Sequence, residues 1–169
     1  IRRKTDPGFV VGLRLSGDEL SHEGVDQSEM LDACETIAAA KQLDYFSVVA
    51  GSSATLAGSI HIAPPMFQAV GYTAPLGQCI RERTGLTTII TGRINQPQDA
   101  EKIIASGQAD MCGMTRAMIC DPQIGSKANA GRTDDIRACI GCNQACIGHF
   151  HDGYPISCIQ NPISGRETR

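Results

Sequence analysis

The sequence lacks the long apolar segments and the clustered positive charge that mark membrane and nucleic-acid-binding proteins. No stretch approaches the roughly 20 consecutive apolar residues that a membrane span needs, and residues 1–6 have no signal-peptide core. The formal net charge is −3, and apart from Arg2-Arg3-Lys4 the Lys and Arg residues are spread singly along the chain. These absences predict a soluble, cytoplasmic protein that binds neither nucleic acid nor membrane.

The sequence also lacks an initiating methionine. Its hydrophobic content of 41% is enough to form the core of one ordinary domain. The first residues resemble the end of a helix, and the chain stops shortly after its last cysteine. We therefore expect a fragment of a longer polypeptide, inactive by itself.

Short apolar and β-branched runs alternate with amphipathic helical patterns along the first two thirds of the chain. The predicted strands are 9–15, 45–50, 87–91 and 110–114, and the predicted helices are 28–43, 75–84 and 97–106. Ser28 is a candidate N-cap of the first helix. Strand–helix alternation of this kind predicts parallel strands joined by right-handed crossovers, in an α/β fold.

No G-x-G-x-x-G turn follows the first strand, so a (β/α)8 barrel is favoured over an open dinucleotide-binding sheet. In such barrels, phosphate commonly binds at the loops after the last two strands. Here these strands end at Gly92-Arg93 and at Gly113 to Arg116. A glycine lets the backbone N–H groups approach an anion closely, and an arginine guanidinium can bind two of its oxygens. The alternative is that both arginines are ordinary surface residues.

Eight cysteines divide into an isolated set and a clustered set. Cys34, Cys79, Cys112 and Cys120 stand apart in apolar surroundings and are expected to be small buried hydrophobic residues. The others follow the spacing C-x2-C-x3-C-x11-C and are Cys139, Cys142, Cys146 and Cys158. Four thiolates at this spacing favour a [4Fe–4S] cluster. A zinc site is an alternative, because His149 and His151 are nearby as further ligands. Disulfides or free thiols are the remaining alternative.

Residues 11–16, 91–95, 109–116 and 138–146 together resemble the old yellow enzyme superfamily. More narrowly, they resemble its iron–sulfur branch, which includes 2,4-dienoyl-CoA reductase, trimethylamine dehydrogenase and the N-methylproline demethylases. The resemblance implies that residues 1–130 form the C-terminal half of an FMN-binding (β/α)8 TIM barrel. Residues 131–169 would then form the [4Fe–4S]-binding segment.

The resemblance also implies roles for individual residues. Arg14 would approach the pyrimidine side of the flavin, while Arg93 with Gly92, and Thr115 and Arg116 with Gly113, would hold the FMN phosphate. The four clustered cysteines would ligate the iron. In longer relatives, the cluster exchanges electrons with FAD and NAD(P)H domains or with an external electron-transfer flavoprotein, and these are the expected partners besides a small-molecule substrate.

The loop after the second strand separates members of the branch. Dienoyl-CoA reductases resemble one another in a catalytic histidine where this chain has Thr55, and trimethylamine dehydrogenase-like members have an acidic residue where it has Ser52. Residues 59–65 and 149–158 most resemble the N-methylproline demethylase group. The resemblance therefore favours oxidative N-demethylation of an N-methylated amino acid.

Two other functions stay open, and one catalytic residue is a candidate. The first is NAD(P)H-dependent reduction of a 2,4-dienoyl-CoA or another enoate, and the second is a non-catalytic iron–sulfur electron-transfer fragment. His61 is a candidate acid or base near the flavin, because its ordinary pKa is close to neutral. The alternative is a histidine packed against Pro64 and Pro65.

Overall fold

A computed structural model describes residues 1–168 and contains one sheet of four parallel strands. The strands are β1 Gly12–Ser16, β2 Tyr45–Val49, β3 Thr87–Ile90 and β4 Met111–Cys112, paired in the order β1-β2-β3-β4. An order that follows the chain without reversal is that of a barrel, whereas a doubly wound sheet reverses at its switch point. The predicted α/β class with parallel strands is confirmed.

Helices connect the strands and continue beyond the last one. The α-helices are α1 Gln27–Ala39, α2 Leu56–Ile62, α3 Ala74–Thr84, α4 Pro97–Ala105, α5 Thr115–Cys120, α6 Ile124–Asn129 and α7 His149–His151. Short 3-10 turns occupy Arg2–Lys4 and Thr133–Asp135, and a π-helical turn spans Gln144–Gly148. Among the described residues, we find no helix with the length and apolar character to cross a membrane.

The first strand and the first helix begin at other residues than predicted. Phe9 and Val10 precede β1 and are 54% and 65% exposed. Asp26, and not Ser28, caps α1, because its carboxylate accepts from the Glu29 N–H at 3.0 Å while Glu29 accepts from the Asp26 N–H. This reciprocal capping box gives hydrogen-bond partners to two backbone N–H groups, those of Asp26 and Glu29. A cap at Ser28 would leave both N–H groups without these partners.

The segment after β2, expected as a loop, contains helix α2. Thr55 caps it, since its hydroxyl oxygen accepts from the Gly58 N–H at 3.0 Å. The helix carries His61 on its last turn. A helix of this length presents too few turns for its periodicity to be visible in the sequence.

The core lies between the sheet and helices α1 and α3. Phe46, Val48 and Ile90 of the central strands are fully buried, as are Cys34 of α1 and, nearly so, Ile80 of α3. Helix α3 approaches β3 closely at Gly77, where an added Cβ would overlap the Cγ2 of Ile90. The close approach depends on a residue without a side chain at this position.

Asp121, directly after α5, ties the end of the barrel segment to the chain that leads into the cysteine motif. Its carboxylate accepts from Lys127 Nζ at 2.6 Å, from the Arg137 N–H at 2.9 Å and from the Gln123 N–H at 3.0 Å. Burial alone raises the pKa of Asp121, but these donors outweigh burial and hold the pKa below its ordinary value. The carboxylate is thus a buried, ionised junction.

We expect Gly77→Ala to destabilise the protein, because the new methyl group would force α3 and β3 apart. Overpacking of this kind costs about 1–3 kcal/mol. Gly125→Ala in α6 is the matched control, since a Cβ there meets no atom within 4 Å. It should leave stability unchanged or raise it by up to about 1 kcal/mol. Denaturant unfolding measures both, and equal effects would contradict the close packing at Gly77.

We expect Asp121→Asn to lower stability at pH 7 by about 3 kcal/mol, since it leaves the buried Lys127 charge unpaired. Because the pKa of Asp121 is lowered on folding, its contribution is present above its ordinary pKa of 3.8 and is lost as the pH falls through the folded value. The variant and the parent should therefore converge in stability below that pH.

Asp135→Asn is the control for this experiment. It removes an exposed pair with Arg132, whose two side chains are 58% and 56% exposed, and such pairs contribute about 0–1 kcal/mol. Unfolding midpoints at pH 7 and in the acid range provide the measurement. A constant difference between Asp121→Asn and the parent at all pH values would show that the charge of Asp121 does not matter.

Candidate active site

A pocket lies at the edge of the sheet where β3 and β4 end. Its lining comes from the middle of β1, from the loop after β3, from the segment after β4 and from the start of α5, with further walls from α2 and the turn at Ile147. Among the lining residues are all six that the sequence predicted to bind a flavin: Arg14, Gly92, Arg93, Gly113, Thr115 and Arg116. The fold thus brings together residues from segments distant in the sequence.

The pocket is lined by three arginines and by no Asp or Glu. An excess of guanidinium groups in a concave site favours an anionic ligand such as a phosphate. The backbone comes close at Gly92 and Gly113, where an added Cβ would overlap the side chains of Thr73 and Thr91. The positive charge of the lining suits a phosphorylated ligand.

Arg93 and Arg116 are held in place by main-chain oxygens. Arg93 has a positive φ of 51° and donates from Nη1 to the Gln68 carbonyl. Its Nε is buried and has no hydrogen-bond partner among the described residues. Arg116 donates from Nη1 to the Pro64 carbonyl at 2.7 Å. Both guanidinium groups are therefore positioned before any ligand binds.

A second, small pocket is lined by all four clustered cysteines. The π-helical turn carries Cys146, and Cys158 is brought back to it by a bond from the Ser157 N–H to the Ala145 carbonyl at 2.7 Å. Cys139 Sγ accepts from the Gly141 N–H at 3.4 Å. The predicted ligand set is assembled in one place.

The four thiols surround the pocket without converging on a point. Within residues 1–168, no three His, Cys, Asp or Glu side chains stand close enough to hold one metal ion. A zinc ion needs four ligands at about 2.0–2.3 Å from one centre, whereas a cluster distributes its four thiolates over several iron atoms.

Arg116 lines both pockets and joins them physically. Its Nη1 also donates to Asn143 Oδ1 at 2.6 Å, and Asn143 Nδ2 in turn donates to the Ala63 carbonyl at 2.6 Å. Asn143 has a positive φ of 58° and lies directly after Cys142. Burial raises the pKa of the Cys139 thiol, while the Gly141 N–H and the nearby Arg116 charge oppose that rise.

His61 lies on the last turn of α2, beside Gln68 and Tyr72. Its Nδ1 is 3.3 Å from Gln68 Nε2, its carbonyl accepts from the Tyr72 hydroxyl, and its ring centroid is 6.4 Å from that of Tyr72. The side chain lines neither the arginine pocket nor the cysteine pocket. A catalytic role for His61 stays a prediction.

A third pocket, open and about 930 Å³, adjoins the arginine pocket and shares Ile62, Ala63 and Ile147 with it. Its walls are mostly apolar and include Leu56 and Phe150. His151 also lines this pocket, whereas His149 Nδ1 is 3.0 Å from the Pro155 carbonyl. The position next to the arginine pocket makes it the candidate substrate side.

Two residues at the site were missed by sequence reasoning. Asn143 lies inside the cysteine motif and has a positive φ. Asn adopts positive φ more often than most residues, and this tendency was the one sequence signal for a special backbone position there. Cys120 was expected to be an isolated hydrophobic residue, yet it lines the cysteine pocket while being fully buried. Burial, followed by the neighbouring Cys158 thiol, raises the pKa of Cys120 to about 12.

Comparison with known proteins identifies the family. Residues 2–135 match the family described as NADH:flavin oxidoreductase / NADH oxidase. The chain is 32% identical over 167 residues both to an N,N-dimethylglycine/sarcosine dehydrogenase of Chromohalobacter salexigens and to a probable N-methylproline demethylase of Rhizobium meliloti. Both alignments cover 99% of this chain and 24% of the relative, so the chain spans about a quarter of their length.

A solved structure of a 2-naphthoyl-CoA reductase in complex with 2-naphthoyl-CoA has the same fold over 91% of this chain and 23% of its own. The TM-score is 0.82 and the sequence identity is 29%. Together with the match over residues 2–135, this places the chain in the NADH:flavin oxidoreductase / NADH oxidase family of flavin-dependent oxidoreductases.

Proposed function

We propose that the complete protein carrying this chain is an oxidoreductase that uses FMN and a [4Fe–4S] cluster. The observation that carries the proposal is the sharing of Arg116 between the arginine pocket and the cysteine pocket. Two redox groups held in adjoining pockets can exchange electrons directly. When bound, FMN supplies two-electron chemistry on an organic substrate and the cluster supplies single-electron transfer.

Each residue of the arginine pocket has a defined task in this proposal. Arg93 and Arg116 bind the phosphate with side-chain donors, assisted by Thr115, and Gly92 and Gly113 lie beside them in the same lining. Arg14, at the opposite edge of the sheet on β1, stabilises negative charge on the ring system. Cys139, Cys142, Cys146 and Cys158 ligate the cluster.

We propose that the reaction is oxidative N-demethylation of an N-methylated amino acid. A hydride equivalent would pass from the N-methyl carbon to the bound flavin, which would be reduced, and water would then convert the resulting iminium to formaldehyde and the demethylated amine. The two relatives at 32% identity support this class, since both are named for substrates with N-methyl groups. The apolar third pocket, which no Asp or Glu lines, can receive an N-methyl group next to the flavin.

The structure of the α2 region also bears on the choice of reaction. Thr55 stands where the resemblance places the relay histidine of dienoyl-CoA reductases, and its hydroxyl is occupied as the cap of α2. Ser52 is similarly engaged, since its Oγ accepts from the Ala54 N–H at 3.3 Å. A threonine hydroxyl is a much weaker acid than a protonated histidine, so Thr55 would be a poor proton donor for the reduction of an enoyl group.

Reduction of an enoyl-CoA or another enoate is the second candidate. The fold similarity to the 2-naphthoyl-CoA reductase at a TM-score of 0.82 favours it. The two reactions differ in the direction of electron flow, because demethylation delivers electrons from the substrate and reduction delivers electrons to it.

We expect Arg14→Ala and Arg116→Ala to have different effects in the complete enzyme. Each removes a charge-assisted contact to FMN and should weaken its retention by about 1.5–3 kcal/mol. Arg14→Ala should leave the iron content unchanged, whereas Arg116→Ala should also lower it, because the bond to Asn143 is lost. Released flavin fluorescence and iron per chain are the measurements. Loss of iron in Arg14→Ala would contradict the assignment.

We expect the complete enzyme, mixed anaerobically with N-methylproline or sarcosine, to bleach its flavin absorption and to release formaldehyde. Proline and glycine, which lack the N-methyl group, are the matched control substrates and should cause no bleaching. Rapid reoxidation of the NADPH-reduced enzyme by an enoyl-CoA, with no bleaching by any N-methylated amine, would favour the second candidate.

The same assay tests His61. If this side chain is the acid or base, His61→Ala slows bleaching by about 10²–10⁴-fold and leaves the flavin spectrum intact. If the bleaching rate changes by less than about tenfold, His61 is not the acid or base, and its ring has a structural role beside Gln68 and Tyr72.

A further inference from the structure

We propose that Cys120 is a second thiolate ligand for the corner of the cluster assigned to Cys158, so that either sulfur can bind that iron. The inference rests on the proposed [4Fe–4S] site. It adds a fifth cysteine to a site for which the sequence motif supplies four.

Position is the first argument. Cys120 is the last residue of α5, is completely buried, and lines the same pocket as the four motif cysteines. Its thiol is a near neighbour of the thiols of Cys158 and Cys139. The fold therefore brings Cys120 to the part of the pocket that Cys158 lines.

The residues on both sides of Cys120 anchor it to the cluster segment. The Ile119 carbonyl accepts from Ser164 Oγ at 2.6 Å and from Asn161 Nδ2 at 3.3 Å, both after Cys158. The Asp121 carboxylate accepts from the Arg137 N–H, just before Cys139. Because both flanking residues are fixed to the chain around the motif, the thiol cannot leave the pocket without breaking these bonds.

The other three isolated cysteines have different surroundings. Cys34 is buried in the main core between α1 and the sheet, and Cys112 Sγ is 3.9 Å from the Ala100 carbonyl in the barrel wall. Cys79 lies within α3. None of them lines the cysteine pocket, so the fold selects Cys120 among the four.

The exchange needs no oxidant or reductant. The iron–sulfur bond to Cys158 breaks, the bond to Cys120 forms, and the proton released by Cys120 is taken up by Cys158 or by water. The charge of the cluster and the number of thiolate ligands stay the same, since all ligating cysteines bind as thiolates.

Single alanine variants of the anaerobically purified complete enzyme test the proposal. Cys158→Ala and Cys120→Ala should each retain about four irons per chain and a brown colour, and Cys120→Ala/Cys158→Ala should lose the cluster. The reduced Cys158→Ala protein should also show an altered electron paramagnetic resonance spectrum, because one ligand has changed position. Thermal unfolding and bound flavin confirm that each variant is folded.

Two controls isolate the role of Cys120. Cys142→Ala should lose the cluster, because it is not the thiol that Cys120 contacts. Cys79→Ala/Cys158→Ala should retain iron like Cys158→Ala alone. A folded, flavin-containing Cys158→Ala protein without iron overturns the inference, and so does a double variant with Cys120→Ala that keeps its cluster.

Failure of the cluster proposal itself gives a different result, since the parent enzyme would then contain zinc or no metal. If Cys158→Ala aggregates, Cys158→Ser and Cys120→Ala/Cys158→Ser replace it, because serine retains the size of the side chain. Equal iron content in these two proteins would show that Cys120 does not bind iron.

Discussion

The hydrogen bond between Arg116 and Asn143 is the contact on which the architecture of both pockets depends. It joins the first turn of α5, at the sheet edge, to the residue that follows Cys142. Asn143 continues the connection to the Ala63 carbonyl, and Arg116 to the Pro64 carbonyl. One charged side chain therefore fixes the distance between the anion-binding loops and the cysteine loop. Displacing it would change both pockets together.

The position of this cation has an electrostatic consequence. The proposed phosphate and the proposed iron–sulfur cluster would both be negatively charged, and a guanidinium between them would favour the binding of both. Arg93 has a related location, since its Nε approaches the site where Gly141 would carry a Cβ. The two arginines that the sequence assigned to phosphate alone thus also border the cysteine loop. Arg14, on the edge strand β1, lines the arginine pocket but not the cysteine pocket.

Helix α5 is short, yet it connects the three parts of the site. Thr115 and Arg116 begin it at the arginine pocket, and Cys120 ends it in the cysteine pocket. The Ile119 carbonyl and the Asp121 carboxylate bind the chain on either side of the motif. Because these contacts are made by consecutive residues, the helix transmits the geometry of the sheet edge to the thiols.

The sequence by itself determined two kinds of feature. One is the secondary structure that a repeating apolar pattern indicates, and the other is the set of site residues that occur at short, regular spacing, such as Cys, Gly and Arg. Alternating apolar patterns specified parallel strands and α/β class, and the cysteine spacing and the Gly/Arg strand ends identified residues that the fold does assemble. Local side-chain hydrogen bonds decided three features that the sequence pattern did not predict. They are the N-cap at Asp26, the short helix α2 and the position of the His61 ring beside Gln68. Cys120 and the bridging role of Asn143 were decided only by tertiary structure, because their partners are distant in sequence. Periodicity and motif spacing describe neighbours along the chain, whereas a pocket is made by chain segments that meet only when the sheet edge and the cysteine loop pack together.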